Sequence, residues 1–311
     1  MTDAGTMRAV LAHGSDPATL TYETVAVPAP AGGEVLVAVH ATAITAGELA
    51  WPDTTPFIPA HDVSGVVAGT GEQVAGLRTG DEVYGLIGLG RPGAAAEYVA
   101  VPAVQLAAKP ATVDHLAAAT LPLGALTAWQ ALVDHASVKK GQHVLVHGGA
   151  GGVGNFAVQL AAHLGARVTA TASAADAAFV AALGADSVID YRQRFEDQIK
   201  DVDIVIDTVG GQTLARSWEV LRPGGVLIGL ADPPPAEDAE SHHARAVYFV
   251  VEPNRKQLAE LARLVDNGSL RPMIGRVFPL SEAAAAVVTQ RDSHIRGKVV
   301  IQVRPEPSAG G

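Results

Sequence analysis

The glycines Gly149, Gly151 and Gly154 have the clearest chemical spacing in the chain, G-x-G-x-x-G within the segment 144–154. Glycine permits a tight turn and removes the Cβ that would block a pyrophosphate. A helix N-terminus then presents free N–H groups and a partial positive charge to the anion. Glycine-rich loops are common, so context decides. An apolar run 144–147 precedes the loop, and a segment with Phe156, Leu160 and Leu164 at helical spacing follows it. The expected dinucleotide contacts are therefore Gly149, Ala150, Gly151, Gly152, Val153 and Gly154.

Cofactor choice is read at the end of the second strand, about 20 residues past the glycines. An NAD site places Asp or Glu there to hold the ribose hydroxyls. This strand ends at Thr171, Ala172 and Ser173, whose small hydroxyl leaves room for a phosphate. Asp176 follows three residues later, where Ser173 and Asp176 read as a capping box that opens a helix. Tyr191 and Arg192, after the third strand, could reach the phosphate or simply form an exposed loop. The expected cofactor is NADPH rather than NADH.

A second group of candidates lies nearer the N-terminus: Glu48, His61 and Asp62. A catalytic zinc takes three protein ligands and keeps one position open. One histidine with two carboxylates is a poor zinc set. The favoured reading is a hydrogen-bonded His61, acids that cap turns, and no metal. His242 and His243 follow a Pro-rich turn with no third ligand nearby. The chain has no cysteine, which excludes disulfides, thiolate zinc, iron–sulfur clusters and a cysteine nucleophile.

The elements that must position these groups change texture along the 311 residues. Residues 7–105 read as short strands (35–40, 62–68, 97–101) separated by Gly, Pro and Asp, a pattern for a small barrel or sandwich. From about residue 115 the period changes. β-branched runs at 144–147, 167–171, 187–190, 203–207 and 225–229 alternate with helical segments such as 155–164 and 174–183. Runs apolar on both faces fit a buried parallel sheet, so the class is α/β with a doubly wound domain. After 251 come a helix at 256–266, a strand near Val277 and a final strand at 298–303. The segment 116–133 reads as a buried helix and turn rather than a membrane span, and the tail 304–311 as a frayed end. The 22 Lys and Arg against 32 Asp and Glu give a net charge of -10, which disfavours nucleic acid as a partner. Residues 1–10 show no apolar targeting run, and a cytoplasmic location is expected.

Several segments in order resemble the medium-chain dehydrogenase/reductase superfamily, and within it the zinc-independent quinone oxidoreductase (zeta-crystallin-like) branch. They are the segments 33–37, Pro59-Ala-His-Asp-Val-Ser-Gly65, 80–85, 96–99, 121–129, the loop 148–154, 183–186, Asp207-Thr-Val-Gly210 and Arg296-Gly-Lys-Val-Val300. The resemblance implies a GroES-like substrate domain at 1–122, a Rossmann NADP-binding domain at 123–250, and a return to the first domain at 251–311. It implies a cofactor lying in the cleft between domains and a homodimer formed by edge pairing of the Rossmann sheets. It places Thr127 near the nicotinamide, Ser173 and Tyr191 at the phosphate, and Val209, Gly210, Leu230 and Ala231 along the dinucleotide. Two positions depart from the branch. Thr45 stands where Asn is usual, and Ala174, Ala175 and Asp176 follow Ser173 where Lys or Arg is common.

The implied chemistry is hydride transfer from the nicotinamide to a quinone or to the β-carbon of an enone. Hydrogen-bond donors then stabilise the oxyanion that develops. Candidate donors are Thr45, His61, Tyr84 and Thr127, with Thr45, Tyr84 and Thr127 the catalytic candidates. Trp51 and Phe57 would line an apolar pocket for a flat ring with Thr45 and His61, or simply pack. The leading expectation is an NADPH:quinone oxidoreductase without zinc. The alternatives are an enoyl or alkenal double-bond reductase and a non-catalytic NADPH-binding sensor.

Overall fold

A computed structural model describes residues 5–51 and 54–305 of the chain. The chain divides into two compact units, Met1–Leu123 with Glu252–Gly311, and Gly124–Val251. Residues 1–4 and 306–311, which hold part of the N-terminal stretch and most of the tail expected to fray, lie outside the described residues.

The first unit opens with β1 (Thr6–Ala12) and β2 (Leu20–Ala26), an antiparallel pair. Next come β3 (Glu34–Ile44), β4 (Asp62–Thr70), β5 (Glu82–Leu86), β6 (Tyr98–Pro102), β7 (Leu106–Ala108) and the short helix α1 (His115–Ala118). Along β3 the side chains at Val35, Val37, Val39 and Ala41 are buried in alternation, the period-2 signature of a strand with one covered face. Of these, Val35, Val37 and Val39 meet Val63, Val67, Val83, Val99 and Leu106 in one apolar cluster.

The second unit begins within α2 (Pro122–Trp129), which runs on into a π-helical turn, Gln130–His135. It contains β8 (His143–His147), α3 (Gly154–His163), β9 (Arg167–Ala172), α4 (Ala177–Ala182), β10 (Ser187–Asp190), β11 (Val202–Asp207), α5 (Gly211–Ser217), β12 (Leu221–Gly229), α6 (Ala236–Ser241) and β13 (Arg245–Tyr248). Its sheet has the order β10-β9-β8-β11-β12-β13, parallel throughout. This is the doubly wound Rossmann order, with the strand sequence reversing beside β8. The uninterrupted apolar runs of β8 and β11 are buried on both faces, as a covered parallel sheet requires.

The chain then returns to the first unit through α7 (Arg255–Asp266), β14 (Ile274–Pro279), α8 (Ala283–Asp292) and β15 (Lys298–Gln302). Asn254 caps α7 by accepting the N–H groups of Lys256 and Gln257, and Leu258, Leu261, Ala262 and Val265 form its buried stripe. The second sheet of the first unit has the order β14-β15-β3-β4-β5-β7, with β6 also paired to β3.

The mixed GroES-like and Rossmann α/β architecture stands as the sequence predicts, with two local corrections. Arg304, placed by sequence in a frayed tail, is tied down: its guanidinium donates to Val39 O at 2.8 Å and lies over the Tyr98 ring at 4.5 Å. The strands β1, β2, β5, β7 and β13 escape the sequence reading. β2 is half-exposed and largely polar, and β13 is a half-exposed edge of four residues, so no long apolar run marks either. Among the described residues no helix is long and apolar enough to cross a membrane.

Candidate active site

One group of candidates is built on the second unit, where it gathers at the carboxyl ends of the parallel strands. The glycine loop leaves β8 and enters α3. Gly154 N-terminates that helix, and a Cβ there would sit 2.1 Å from Gly148 O. A Cβ on Gly149 would come within 2.9 Å of Ala170 Cβ. These two glycines are demanded by strand–helix packing. Gly151 differs: its Cβ would touch only Gly148 O, at 3.4 Å, an ordinary contact. Its bareness serves whatever approaches from the open side, which is the fit expected for a pyrophosphate. Gly124 packs against the same loop, since a Cβ there would meet Gly152 O at 2.6 Å. Thr127 lies three residues on, on the same face of α2, and is buried.

The β9 end carries Ser173, and the Tyr191 N–H donates to Ala172 O at 3.0 Å, so Tyr191 follows β10 directly beside it. Tyr191 is half-exposed, with the Arg192 guanidinium 5.3 Å from its ring centre. Arg192 holds Asp190 only loosely, at 3.9 Å. The Ser173–Asp176 box takes a form different from the expected one. The Ser173 hydroxyl donates to Asp176 Oδ2 at 2.6 Å, and makes no cap to a backbone N–H. The acid therefore orients the hydroxyl rather than merely starting the helix.

At the β11 end, Asp207 Oδ1 accepts the N–H groups of Val209 and Gly210 at 2.7 and 3.1 Å. Burial raises the Asp207 carboxyl above the usual range, against those two N–H donors. The turn leaves Val209 exposed, and Gly210 takes φ of 80°, where a Cβ would strike Asp232. Leu230 N–H donates to Asp207 O at 2.8 Å, which brings Leu230 and Ala231 to the same rim. His147, at the β8 end, sits between Thr171 and Ser217 hydroxyls at 3.1 and 3.0 Å. Burial pushes its imidazole down to about 3, so it is a neutral structural group.

A separate polar cluster lies inside the first unit. Thr45 follows β3 and is half-buried. Its N–H donates to Glu48 Oε2 at 3.2 Å, and its Oγ1 accepts from Lys298 Nζ at 2.7 Å. Lys298 Nζ lies 2.9 Å from Asp62 Oδ2, while Asp62 Oδ1 accepts the Leu123 N–H at 2.6 Å. Burial pushes the Glu48 carboxyl up to about 8, against the attraction of Lys298. Glu48 Oε1 and His61 Nδ1 are buried without a hydrogen-bond partner. Burial also lowers the His61 imidazole, and the Trp51 ring lies 6.1 Å from it.

The structure takes one candidate, Tyr84, away from proton donation. The Tyr84 hydroxyl is fully buried and donates to Leu258 O at 2.5 Å. Burial holds it far above the usual phenol range, so it is a tie between β5 and α7 rather than a proton donor. Phe57 bridges to Ala12 and packs against the core of Val10, Ile44 and Leu49. Sequence reading missed Lys298, which it held only as a letter of the 296–300 motif. The one signal was a lysine heading an apolar strand. Asp62, read as a turn cap, does accept the Leu123 N–H at the start of α2, and its other oxygen partners that lysine.

Residues 183–301 match the family described as zinc-binding dehydrogenase, and residues 31–111 match the alcohol dehydrogenase GroES-like domain. The chain is 34% identical over 310 residues to the "Probable zinc-binding oxidoreductase, mitochondrial" of Arthroderma benhamiae, covering 92% of this chain and 93% of that one. It is 36% identical over 263 residues to the "NADPH-dependent alkenal/one oxidoreductase, chloroplastic" of Arabidopsis thaliana, covering 80% and 65% respectively. The solved quinone oxidoreductase of Coxiella burnetii is 33% identical, with a TM-score of 0.90 over 96% of this chain and 100% of that chain. The chain thus belongs to the medium-chain dehydrogenase/reductase superfamily. Within it, it falls in the zinc-independent quinone oxidoreductase branch, and it is an NAD(P)H-dependent oxidoreductase.

The zinc in the name of that family does not fit these residues. Both Asp62 oxygens are engaged, by an N–H and by an ammonium, and the chain has no cysteine. Among the described residues no group of three His, Cys, Asp or Glu is placed to hold a metal. A nicotinamide dinucleotide fits the loop 148–154.

Proposed function

We infer that the chain is an NADPH-dependent reductase of quinones, with enones as the second acceptor class. The observation that carries this reading is the cluster of Thr45, Lys298, Asp62 and Glu48, which offers a half-buried hydroxyl backed by an ammonium and no metal donor set. That arrangement suits an acceptor needing a proton on oxygen rather than a Lewis acid. The bound nicotinamide would supply a hydride. The chain's own residues would do the rest. Gly149, Gly151 and the α3 N-terminus bind the pyrophosphate. Tyr191 and Arg192 take the phosphate that distinguishes NADPH, with Ser173 joining them once its hydroxyl turns from Asp176, and Val209, Gly210, Leu230 and Ala231 border the dinucleotide. Thr127 lies toward the nicotinamide, and Trp51 and His61 line the acceptor pocket.

NADPH over NADH is supported by the exposed Arg192 beside Tyr191, next to the β9 end. The enone reading is favoured by the Arabidopsis relative. Exposed Tyr248 and Val250, at and just past the edge strand β13, support a homodimer formed at that edge.

The test is the loss of NADPH absorbance with a polycyclic quinone, with NADH and an aliphatic enone as comparisons. Faster oxidation of NADPH with the quinone is expected. Preference for NADH would overturn the role given to Ser173 and Arg192. Binding of NADPH without turnover of either acceptor would overturn the enzyme reading in favour of a sensor.

A further inference from the structure

Lys298 opens β15, and the antiparallel register that sets Val299 opposite Ile44 brings it level with Thr45. A lysine at the end of a strand ordinarily snorkels to water. This one is only 3% exposed. The preceding Gly297 turns the chain inward with φ of 73°, at a place where a Cβ would lie 2.2 Å from Met273 O. The ammonium is tolerated because Asp62, itself fully buried, supplies one countercharge. Glu48 adds no second negative charge at neutral pH, because burial keeps its carboxyl protonated. The buried group is thus one cation, one anion and one neutral acid, with neutral His61 nearby.

The consequence falls on Thr45. A hydroxyl has one proton and two acceptor lone pairs. Lys298 donates to Oγ1 from the buried side at 2.7 Å, so the O–H is free to point the other way. Thr45 is half-buried, so the residue keeps some access to solvent. A donor hydrogen-bonded behind an O–H also polarises it and strengthens the bond it makes in front.

We propose that Lys298 is a positioning residue for proton delivery, holding Thr45 as the hydroxyl that protonates the oxyanion of the reduced acceptor. The proposal rests on the quinone or enone reading above. Addition of hydride to the acceptor leaves an electron pair on its oxygen. That oxygen takes the Thr45 hydroxyl proton as the Thr45 O–H bond breaks. Thr45 Oγ1 takes a proton from Lys298 Nζ in turn, and the neutral amine beside Asp62 regains a proton from water after product leaves. One proton is consumed per hydride, and the chain returns to its starting state.

The test uses the full chain with Lys298→Met, Lys298→Arg, Thr45→Val and the Thr45→Val/Lys298→Met double variant. The first readout needs no turnover: para-nitrophenol is titrated by absorbance in the presence of saturating protein. A polarised donor at Thr45 lowers the apparent pKa of the bound phenol. The wild type and Lys298→Arg should show the lowering, and Lys298→Met and Thr45→Val should lose it. The second readout is steady-state kinetics. Thr45→Val and Lys298→Met should each lower kcat about 10- to 100-fold with little change in KM, and the double variant should fall no further. Should Lys298→Met fail to fold, leaving Asp62 unpaired, Thr45→Val and Lys298→Arg carry the test.

An unshifted phenol with the wild type overturns the proposal. So does a Lys298→Met variant that matches the wild type in both readouts, or additive losses in the double variant. If the wild type reduces neither acceptor, the functional reading falls separately, and the phenol titration alone decides the Lys298–Thr45 pair.

Discussion

Glu48→Gln replaces a buried acid with a neutral isostere, and its effect on stability must depend on pH. Burial raises the folded-state carboxyl from 4.5 to about 8. A raised carboxyl is protonated when folded and ionised when unfolded between those two values. Its contribution to stability is fully present below the unfolded value, and is lost as pH rises through the folded one. Each pH unit in that window changes stability by about 1.4 kcal/mol for one proton. Between pH 5.5 and 7.5 the wild type should therefore lose about 2–3 kcal/mol that Glu48→Gln does not lose. Urea unfolding of both proteins across this range measures it. The difference between the curves isolates Glu48, because His115, His147 and the other titrating groups are common to both. Parallel curves would mean that Glu48 is ionised in the fold. The charge balance around Lys298 would then be wrong, since two buried carboxylates would share one ammonium.

The two kinds of glycine should separate. Gly154→Ala, with its Cβ 2.1 Å from Gly148 O, should cost about 1–3 kcal/mol in unfolding experiments. Gly151→Ala should unfold within about 0.5 kcal/mol of the wild type, and yet raise the NADPH Kd about tenfold or more by calorimetry. Arg192→Ala should weaken NADPH roughly 10- to 100-fold, as expected for losing a charge-assisted contact, and leave NADH binding unchanged. Equal loss for both cofactors would remove Arg192 from the phosphate site. Tyr84→Phe, which removes the hydroxyl that donates to Leu258 O beside its helical partner, should cost about 0.5–1.5 kcal/mol in stability with kcat retained. A fall in kcat at unchanged stability would return Tyr84 to the catalytic group.

Much of the second unit is legible one segment at a time. The loop after β8 is a local pattern, because the turn, the close strand–helix approach and the helix N-terminus all fall within a few residues. The strands β8, β9, β10, β11 and β12 announce themselves as apolar runs, since both faces of that sheet are covered. β13 does not, because it is an edge whose side chains meet water. Exposure also hides β2. The cofactor rim was readable for a related reason. In a parallel sheet, residues just past the strand ends converge on one edge, so Ser173 and Tyr191 follow from strand boundaries, while Val209 and Leu230 came from the family resemblance.

The cluster beneath Thr45 follows another logic. Sequence singled out Thr45, His61, Asp62 and Glu48 as polar residues in a recognisable segment and argued from residue type against a metal, but gave no basis for naming their partners. Lys298 is one of them, and it is 253 residues away from Thr45 along the chain. Nothing local in either segment foretells the pairing, because it depends on the return of β15 to β3 and on the inward turn at Gly297. Burial then does what residue type alone cannot. It makes Glu48 a neutral acid, draws Lys298 to Asp62, and commits Tyr84 to a backbone carbonyl. By itself the sequence determined the α/β class, the dinucleotide loop and the list of polar residues, because these reside in short-range spacing. Only the tertiary structure decided their charge states and partners, because desolvation and long-range strand pairing belong to the folded chain.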